Sequence, residues 1–261
     1  MAVSESVLVT RPAGQADGLR AGLLAAGYRS VHQPLLTVSP IGLDAAQQAI
    51  PNTLASYAHC LFISSNAARY GLACLLAERS GWPHSVQCYA VGDSTADVLR
   101  AAGVAVQTPG VEMTSEGLLA LPSLQSVSGE RVLIVKGEGG RTALREALIA
   151  RGAQVDELRC YRRSPPDVAP EALQQLLLEQ QVVCILISSG EALDNLVALL
   201  TPVDSTHSTH RSCALVVPSA RVAEQARAAG WYDVAVAANA SDDAMLSALR
   251  EWDSKREVTG G

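Results

Sequence analysis

The chain has 261 residues, 48% of them apolar, with 20 basic and 26 acidic side chains and a net charge of −6. That length buries one large core or two ordinary ones, and two domains is the expectation. Aromatic residues make up only 4%, and the acidic balance gives no general attraction to polyanions, so a nucleic-acid-binding surface is excluded and any anionic ligand must be held by a local group of side chains.

Read from the N-terminus, MAVSESVLVTRP has no basic start and its apolar run stops within four residues. Neither an export signal nor a membrane span is predicted there, and the protein is expected in the cytoplasm. VLVT at 7–10 predicts a strand that ends in Thr10-Arg11-Pro12 and is followed by a helix up to Gly27. CLFISSNAARYGL, from Cys60 to Leu72, predicts a strand, the polar joint Ser64-Ser65-Asn66, and a second helix. The same pattern returns in CYAVGDSTADVLRAAG at 88–103, with Gly92-Asp93-Ser94-Thr95 at the joint, and MTSEGLLAL follows at 113–121. VLIVKGEGGRTALREALIARG at 132–152 places Lys136-Gly137-Glu138-Gly139-Gly140-Arg141 between strand and helix. CILISSGEALDNL, from Cys184 to Leu196, has Ser188-Ser189-Gly190 in that place, and CALVVPSARVAEQARAAG at 213–230 has Pro218-Ser219.

These segments form two series. Cys60–Leu72 returns 124 residues later as Cys184–Leu196, 7–27 pairs with 132–152, 88–103 more loosely with 213–230, and 113–121 with ASDDAMLSAL at 240–249. Four blocks in the same order are a tandem duplication of a domain-sized unit. Strands alternating with helices require crossover connections, so the fold class is α/β, with two doubly wound parallel-sheet domains of four or five strands each. The polar joints then stand at the carboxyl edges of the sheets, where open α/β folds bind ligands. Two readings compete there. Serine caps a following helix, in which case loss of Ser64 or Ser188 costs about 1 kcal/mol of stability. Alternatively, the rows of helix N-termini, with their free amides and partial positive charge, grip a polyanion.

Six cysteines at 60, 74, 88, 160, 184 and 213 form no CxxC pair and most lie in apolar runs, which predicts buried reduced thiols. His207 and His210 stand in the polar segment STHSTHR without further ligands nearby, so no metal is expected. KGEGGRT has Thr142 where a dinucleotide fingerprint needs its third glycine, although Asp156 lies at a distance suited to a ribose. With no Walker A motif either, no cofactor is expected. The turn is read as a tight bend that lets Lys136 and Arg141 face a cleft.

VLVTRP, LFISSNAA, YAVGDSTADVLRAAG, TSEGLL, VLIVKGEGGR and ELRCYRRSPP, taken in order, resemble the uroporphyrinogen-III synthase family from about residue 7 to 250. The resemblance implies two α/β domains facing across a cleft and joined by a two-stranded connector. It also implies that the domain limits differ from those of the repeat: 1–35 with 163–261 as a discontinuous first domain, and 36–162 inserted as the second. The implied reaction is cyclisation of hydroxymethylbilane, a linear tetrapyrrole rich in carboxylates, to uroporphyrinogen III, with loss of water and inversion of the last ring. The protein would be a monomer, free of metal and cofactor, that receives its substrate from hydroxymethylbilane synthase.

By the same resemblance Tyr161 is the candidate acid, since a phenol keeps its proton at neutral pH and can give it to a departing hydroxyl. The competing reading is a connector tyrosine that only packs. Arg11, Lys136 and Arg141 are candidate carboxylate partners. Pro12, Ser64, Ser65, Asn66, Gly92, Ser94, Thr95, Ser115, Gly137, Ser188, Ser189 and Ser219 are the other candidate substrate contacts, while Arg20 and Arg145 belong on solvated faces. Val217-Pro218-Ser219-Ala220-Arg221 departs from the family's Gly- or Ser/Thr-rich turn; Ser219 can still cap there, and a threonine contact has no counterpart. Two rivals differ in class: a non-catalytic two-lobed anion-binding protein, and a nucleotide-dependent transferase using KGEGGR.

Overall fold

A computed structural model describes residues 5–140, 142–201 and 213–259, with side chains as far as residue 256. The polypeptide divides into two compact units, Met1–Thr37 with Ser164–Gly261, and Val38–Arg163. The chain starts in the first unit with β1 (Ser6–Val9), α1 (Asp17–Ala25) and β2 (Arg29–His32). Passing into the second unit through β3 (Thr37–Pro40), it makes two single-turn helices, α2 (Ala45–Gln48) and α3 (Ile50–Thr53). Then follow β4 (His59–Phe62), α4 (Ser65–Leu75), β5 (Gln87–Ala90), α5 (Asp93–Ala101), β6 (Val106–Gln107), α6 (Ser115–Ala120), β7 (Arg131–Gly137), α7 (Ala143–Ala150) and β8 (Gln154–Ser164). The return to the first unit adds α8 (Pro170–Glu179), β9 (Val182–Leu186), α9 (Gly190–Leu200), β10 (Ala214–Val217), α10 (Ala220–Ala228), β11 (Val234–Val236) and α11 (Asp242–Thr259).

The first sheet runs β11-β10-β9-β1-β2 and the second β3-β8-β7-β4-β5-β6. In the first, every pairing is parallel. In the second, the ladders that join β8, β7, β4, β5 and β6 are parallel. Replacing each strand by its counterpart in the repeat, β1 by β7, β2 by β8, β9 by β4, β10 by β5 and β11 by β6, turns the first order into the second. The duplication is therefore visible in topology as well as in sequence. The second sheet has one strand more than the expected four or five, because β3, the short and half-exposed TVSP, adds itself beside β8.

Both sheets are covered on both faces. Alternate residues of β4 and β7 feed separate cores, with Cys60, Phe62, Leu133 and Val135 on one side and Leu61, Val132 and Ile134 on the other. In the first unit Leu8, Ile185 and Leu215 face one core, while Val7, Val9, Cys184 and Val216 face the other. Burial on two sides explains why these strands read as continuous apolar runs without alternation.

All six cysteines are free thiols; five are buried and Cys74 is half-buried. Burial raises every one of them: Cys88 and Cys160 to about 12, Cys213 to about 11, Cys60 and Cys184 well above the ordinary 9.0, and Cys74 in the same direction. A group whose pKa is raised by folding stabilises the native state fully below its unfolded value and loses that contribution as pH climbs towards the folded value. Resistance to urea is therefore expected to hold up to about pH 9 and fall steadily towards pH 11. Replacing Cys60 and Cys184 by Ala should flatten that fall, as measured by denaturation midpoints across the pH range.

Candidate functional site

Each sheet has a place where strand order reverses: between β1 and β9 in the first unit, and between β4 and β7 in the second. Crevices at such points, outside the carboxyl ends of the strands, are where open α/β sheets hold ligands. The segments reaching these ends are Thr10-Arg11-Pro12 and Ser188-Ser189 in the first unit, and Ser64-Ser65-Asn66 and Lys136-Gly137 in the second.

In the second unit Ser64 takes an extended backbone and its hydroxyl accepts the N–H of Ala67 at 3.0 Å, capping α4. The same oxygen shares a hydrogen bond of 3.0 Å with the Tyr161 hydroxyl. Tyr161 reaches it because β8 carries one extra residue: Lys136 stands opposite Arg159 while Gly137 stands opposite Tyr161, leaving Cys160 as a bulge. A bulge of this kind shifts the alternation of side chains by one. Leu158, Cys160 and Tyr161 accordingly join one core, with Tyr161 only 6% exposed. Tyr70 stacks on its ring with centroids 5.8 Å apart, and the Tyr70 hydroxyl donates to the Val38 carbonyl at 3.0 Å.

Lys136 was expected to face a cleft. Its side chain is instead 6% exposed, with Nζ 3.3 Å from Glu157 Oε1, because the alternation of β7 puts it on the face of Val132 and Ile134, which packs against α6 and α7. There it lines a cavity of about 430 Å³ with Met113, Ser115, Arg145 and Glu157 among its neighbours. Arg145 is exposed, as a solvated helix face requires, yet it also borders this cavity and a second one beside Arg131, Asp156 and Arg159, a proximity its position in the sequence does not reveal. Near the amino end of β7 the Arg131 guanidinium lies 4.2 Å above the Tyr57 ring, whose hydroxyl donates to Asp156 at 2.7 Å. Burial, with the Asp156 carboxylate beside it, pushes the Tyr57 phenol up.

The remaining candidates of this unit divide by exposure. Gly92 forms the N-cap position of α5 against Met113, Ser94 is exposed, and Thr95 is 2% exposed because the first turn of α5 aims it at the sheet. Thr114 caps α6 by accepting the Gly117 N–H at 3.0 Å, with Ser115 following as the first helical residue. Ser65 and Asn66 open α4 and are half-buried. Arg141 lies outside the described residues.

In the first unit the buried Thr10 hydroxyl donates to the Leu186 carbonyl at 2.7 Å, bonding β1 to the end of β9. Arg11 pairs with the Asp242 carboxylate and donates to the Ala240 carbonyl at 2.6 Å, so a neighbour 231 residues away already balances its charge. Pro12 is buried, and its carbonyl accepts the Gln15 N–H at 3.1 Å. Arg20 is exposed. Ser219 caps α10 by accepting the Val222 N–H at 3.4 Å.

The two serine pairs are not used in the same register. In the first copy the leading serine, Ser64, caps; in the second it is Ser189, which accepts the Ala192 N–H at 3.1 Å, while Ser188 precedes it. The expectation that Ser188 caps is corrected: β9 ends at Leu186 and two residues then precede the cap, against one between the end of β4 and Ser64. Ser189→Ala is expected to cost about 1 kcal/mol, and Ser188→Ala a few tenths at most. Urea denaturation of the two variants distinguishes them.

Among the described residues no three His, Cys, Asp or Glu side chains gather as a metal site, and His207 and His210 lie outside those residues. No described helix is long and apolar enough to cross a membrane.

A family model described as uroporphyrinogen-III synthase HemD matches residues 17–247. The uroporphyrinogen-III synthase of Escherichia coli (strain K12) is 36% identical over 249 residues, covering 94% of this chain and 100% of that protein. The Salmonella typhimurium (strain LT2) protein of the same name is 35% identical with the same coverage. Among solved structures, a mutant uroporphyrinogen III synthase of Thermus thermophilus aligns with a TM-score of 0.59 at 19% identity, covering 99% of this chain and 100% of that one. The Helicobacter pylori 26695 uroporphyrinogen-III synthetase gives 0.60 at 14% identity, covering 95% and 99%. At those identities the structural likeness concerns the fold, and the duplicated strand order found here agrees with a two-unit α/β protein. Matched along nearly its whole length by the family model and by relatives more than a third identical, the chain belongs to the uroporphyrinogen-III synthase family.

Proposed function

We infer that this protein is a uroporphyrinogen-III synthase, cyclising hydroxymethylbilane to uroporphyrinogen III with loss of water and inversion of the terminal pyrrole ring. The observation that carries the reading is the 36% identity along the entire length of the Escherichia coli enzyme. The chemistry asks little of side chains, because an electron-rich pyrrole expels its own hydroxyl once that group is helped to leave. What the protein must supply is positioning of a flexible polyanion, with modest acid catalysis.

Helix N-termini at the strand-order reversals are suited to that task. Free amides at the start of α4 and α9 favour carboxylates without requiring a basic surface, which suits a chain of net charge −6. Ser64, Ser65 and Asn66 in one unit and Ser188 and Ser189 in the other are the proposed carboxylate contacts, with Gly92, Ser94, Ser115 and Gly137 at neighbouring strand ends. Tyr161, held to the capping serine of α4, is the proposed acid for the departing hydroxyl. Arg11 and Lys136, each already paired with a carboxylate, are proposed to act on substrate through the local charge balance of their sites. The enzyme is proposed to work as a cytoplasmic monomer supplied by hydroxymethylbilane synthase.

The test is to give the purified protein freshly made hydroxymethylbilane and separate the products by chromatography. A synthase raises isomer III over the isomer I formed by spontaneous closure. Protein that binds the bilane while isomer I still dominates is a non-catalytic anion binder, and the inference fails.

A further inference from the structure

We propose that Gly137 and Ser64 are positioning residues for the Tyr161 hydroxyl: the bare backbone of Gly137 lets the ring lie against the end of β7, and Ser64 holds the hydroxyl once it is there. The inference rests on the reading of Tyr161 as the acid. It begins from the bulge at Cys160, which brings Tyr161 directly opposite Gly137. Gly137 does not have the positive φ that would by itself call for glycine. What excludes a larger residue is the phenol: a Cβ on Gly137 would lie 2.6 Å from Cζ, 2.8 Å from Cε2 and 3.0 Å from the hydroxyl oxygen of Tyr161.

The ring has little freedom to move aside. Tyr70 stacks on it and is itself tied to the Val38 carbonyl, and the Glu138 N–H donates to the Tyr161 carbonyl at 2.7 Å, holding the backbone close to Gly137. Carbon atoms settle about 3.5–4.0 Å apart, so a methyl group on Gly137 must push the phenol away by about 1 Å. The hydroxyl then leaves its 3.0 Å contact with Ser64. A shift of about that size in a reacting group lowers turnover by up to about a hundredfold.

The decisive measurement is a pair of double-mutant cycles on kcat and KM with hydroxymethylbilane as substrate. Gly137→Ala is expected to lower kcat about fivefold to fiftyfold with KM changed by less than about twofold, and to cost nothing further in the Tyr161→Phe background, where no hydroxyl is left to misplace. Ser64→Gly, which keeps a serviceable cap, is expected to lower kcat in the same range and to lower it no further in the Tyr161→Phe background, while KM rises through the lost carboxylate contact, and it decides the matter if Gly137→Ala fails to fold. Full kcat in these variants beside a slowed Tyr161→Phe, or losses that multiply in the double variants, overturns the positioning role and leaves the acid assignment standing. Normal turnover in Tyr161→Phe overturns the acid assignment, and the positioning role with it.

Discussion

Tyr161→Phe is expected to lower kcat by about tenfold to a hundredfold while the product remains isomer III. In the proposed role the acid for hydroxyl departure is lost, whereas the folding of the substrate, to which ring inversion is attributed, is left to groups that the Phe side chain does not disturb. Stability should fall by no more than about 1 kcal/mol, because Ser64 loses one hydrogen-bond partner but keeps the Ala67 N–H. Tyr161→Ala behaves differently. Removing a ring 6% exposed and stacked on Tyr70 opens a cavity at the edge of the core, at a cost of about 3 kcal/mol or more. Turnover measured beside urea midpoints separates the two roles, and a Phe variant of normal speed would make Tyr161 a packing residue only.

The second large effect concerns Lys136 and Glu157. Glu157→Ala strands an ammonium whose side chain is 6% exposed, and the second unit should lose about 3–5 kcal/mol. The double variant Lys136→Met with Glu157→Leu, which removes both charges and restores volume, should recover most of that loss, since a buried pair contributes less than its breakage costs. Urea midpoints for the transition of the second unit provide the readout. A loss below about 1 kcal/mol in Glu157→Ala would mean that water reaches the ammonium freely through the adjoining cavity.

What could be read from the sequence follows from how far apart the interacting residues lie. Strand–turn–helix units and the duplication are written in short apolar runs and their joints, so alternation, parallel pairing and the candidate carboxyl edges were all legible. β3 was not, because TVSP is short, half-exposed and only completes the edge beside β8. Nor was the bulge at Cys160, since a one-residue change of register leaves the composition of ELRCYRRS unaltered. The strand-end motif located Lys136 and Arg11 correctly in the chain but could not show that Glu157 and Asp242 neutralise them; a pairing across 231 residues leaves no local trace. Arg145 was assigned to solvent by its helix position, and it is exposed, yet two cavities open beside it. Ser64 and Ser189 show the limit of repeat-based reasoning, because identical dipeptides meet their helices one residue out of step.

The discontinuity of the first unit sets the order in which a ribosome can complete the protein. β1 lies inside its sheet, between β2 and β9, and β9 begins only at Val182. At roughly 5–20 residues per second, the nascent β1–α1–β2 segment waits on the order of ten to thirty seconds with one edge of an apolar strand unpaired. Residues 38–163, contiguous in the chain, can meanwhile fold as soon as they emerge. During synthesis the inserted unit is therefore the senior partner, and the open edge of β1 is the point at which nascent chains are most exposed to mispairing and to chaperones.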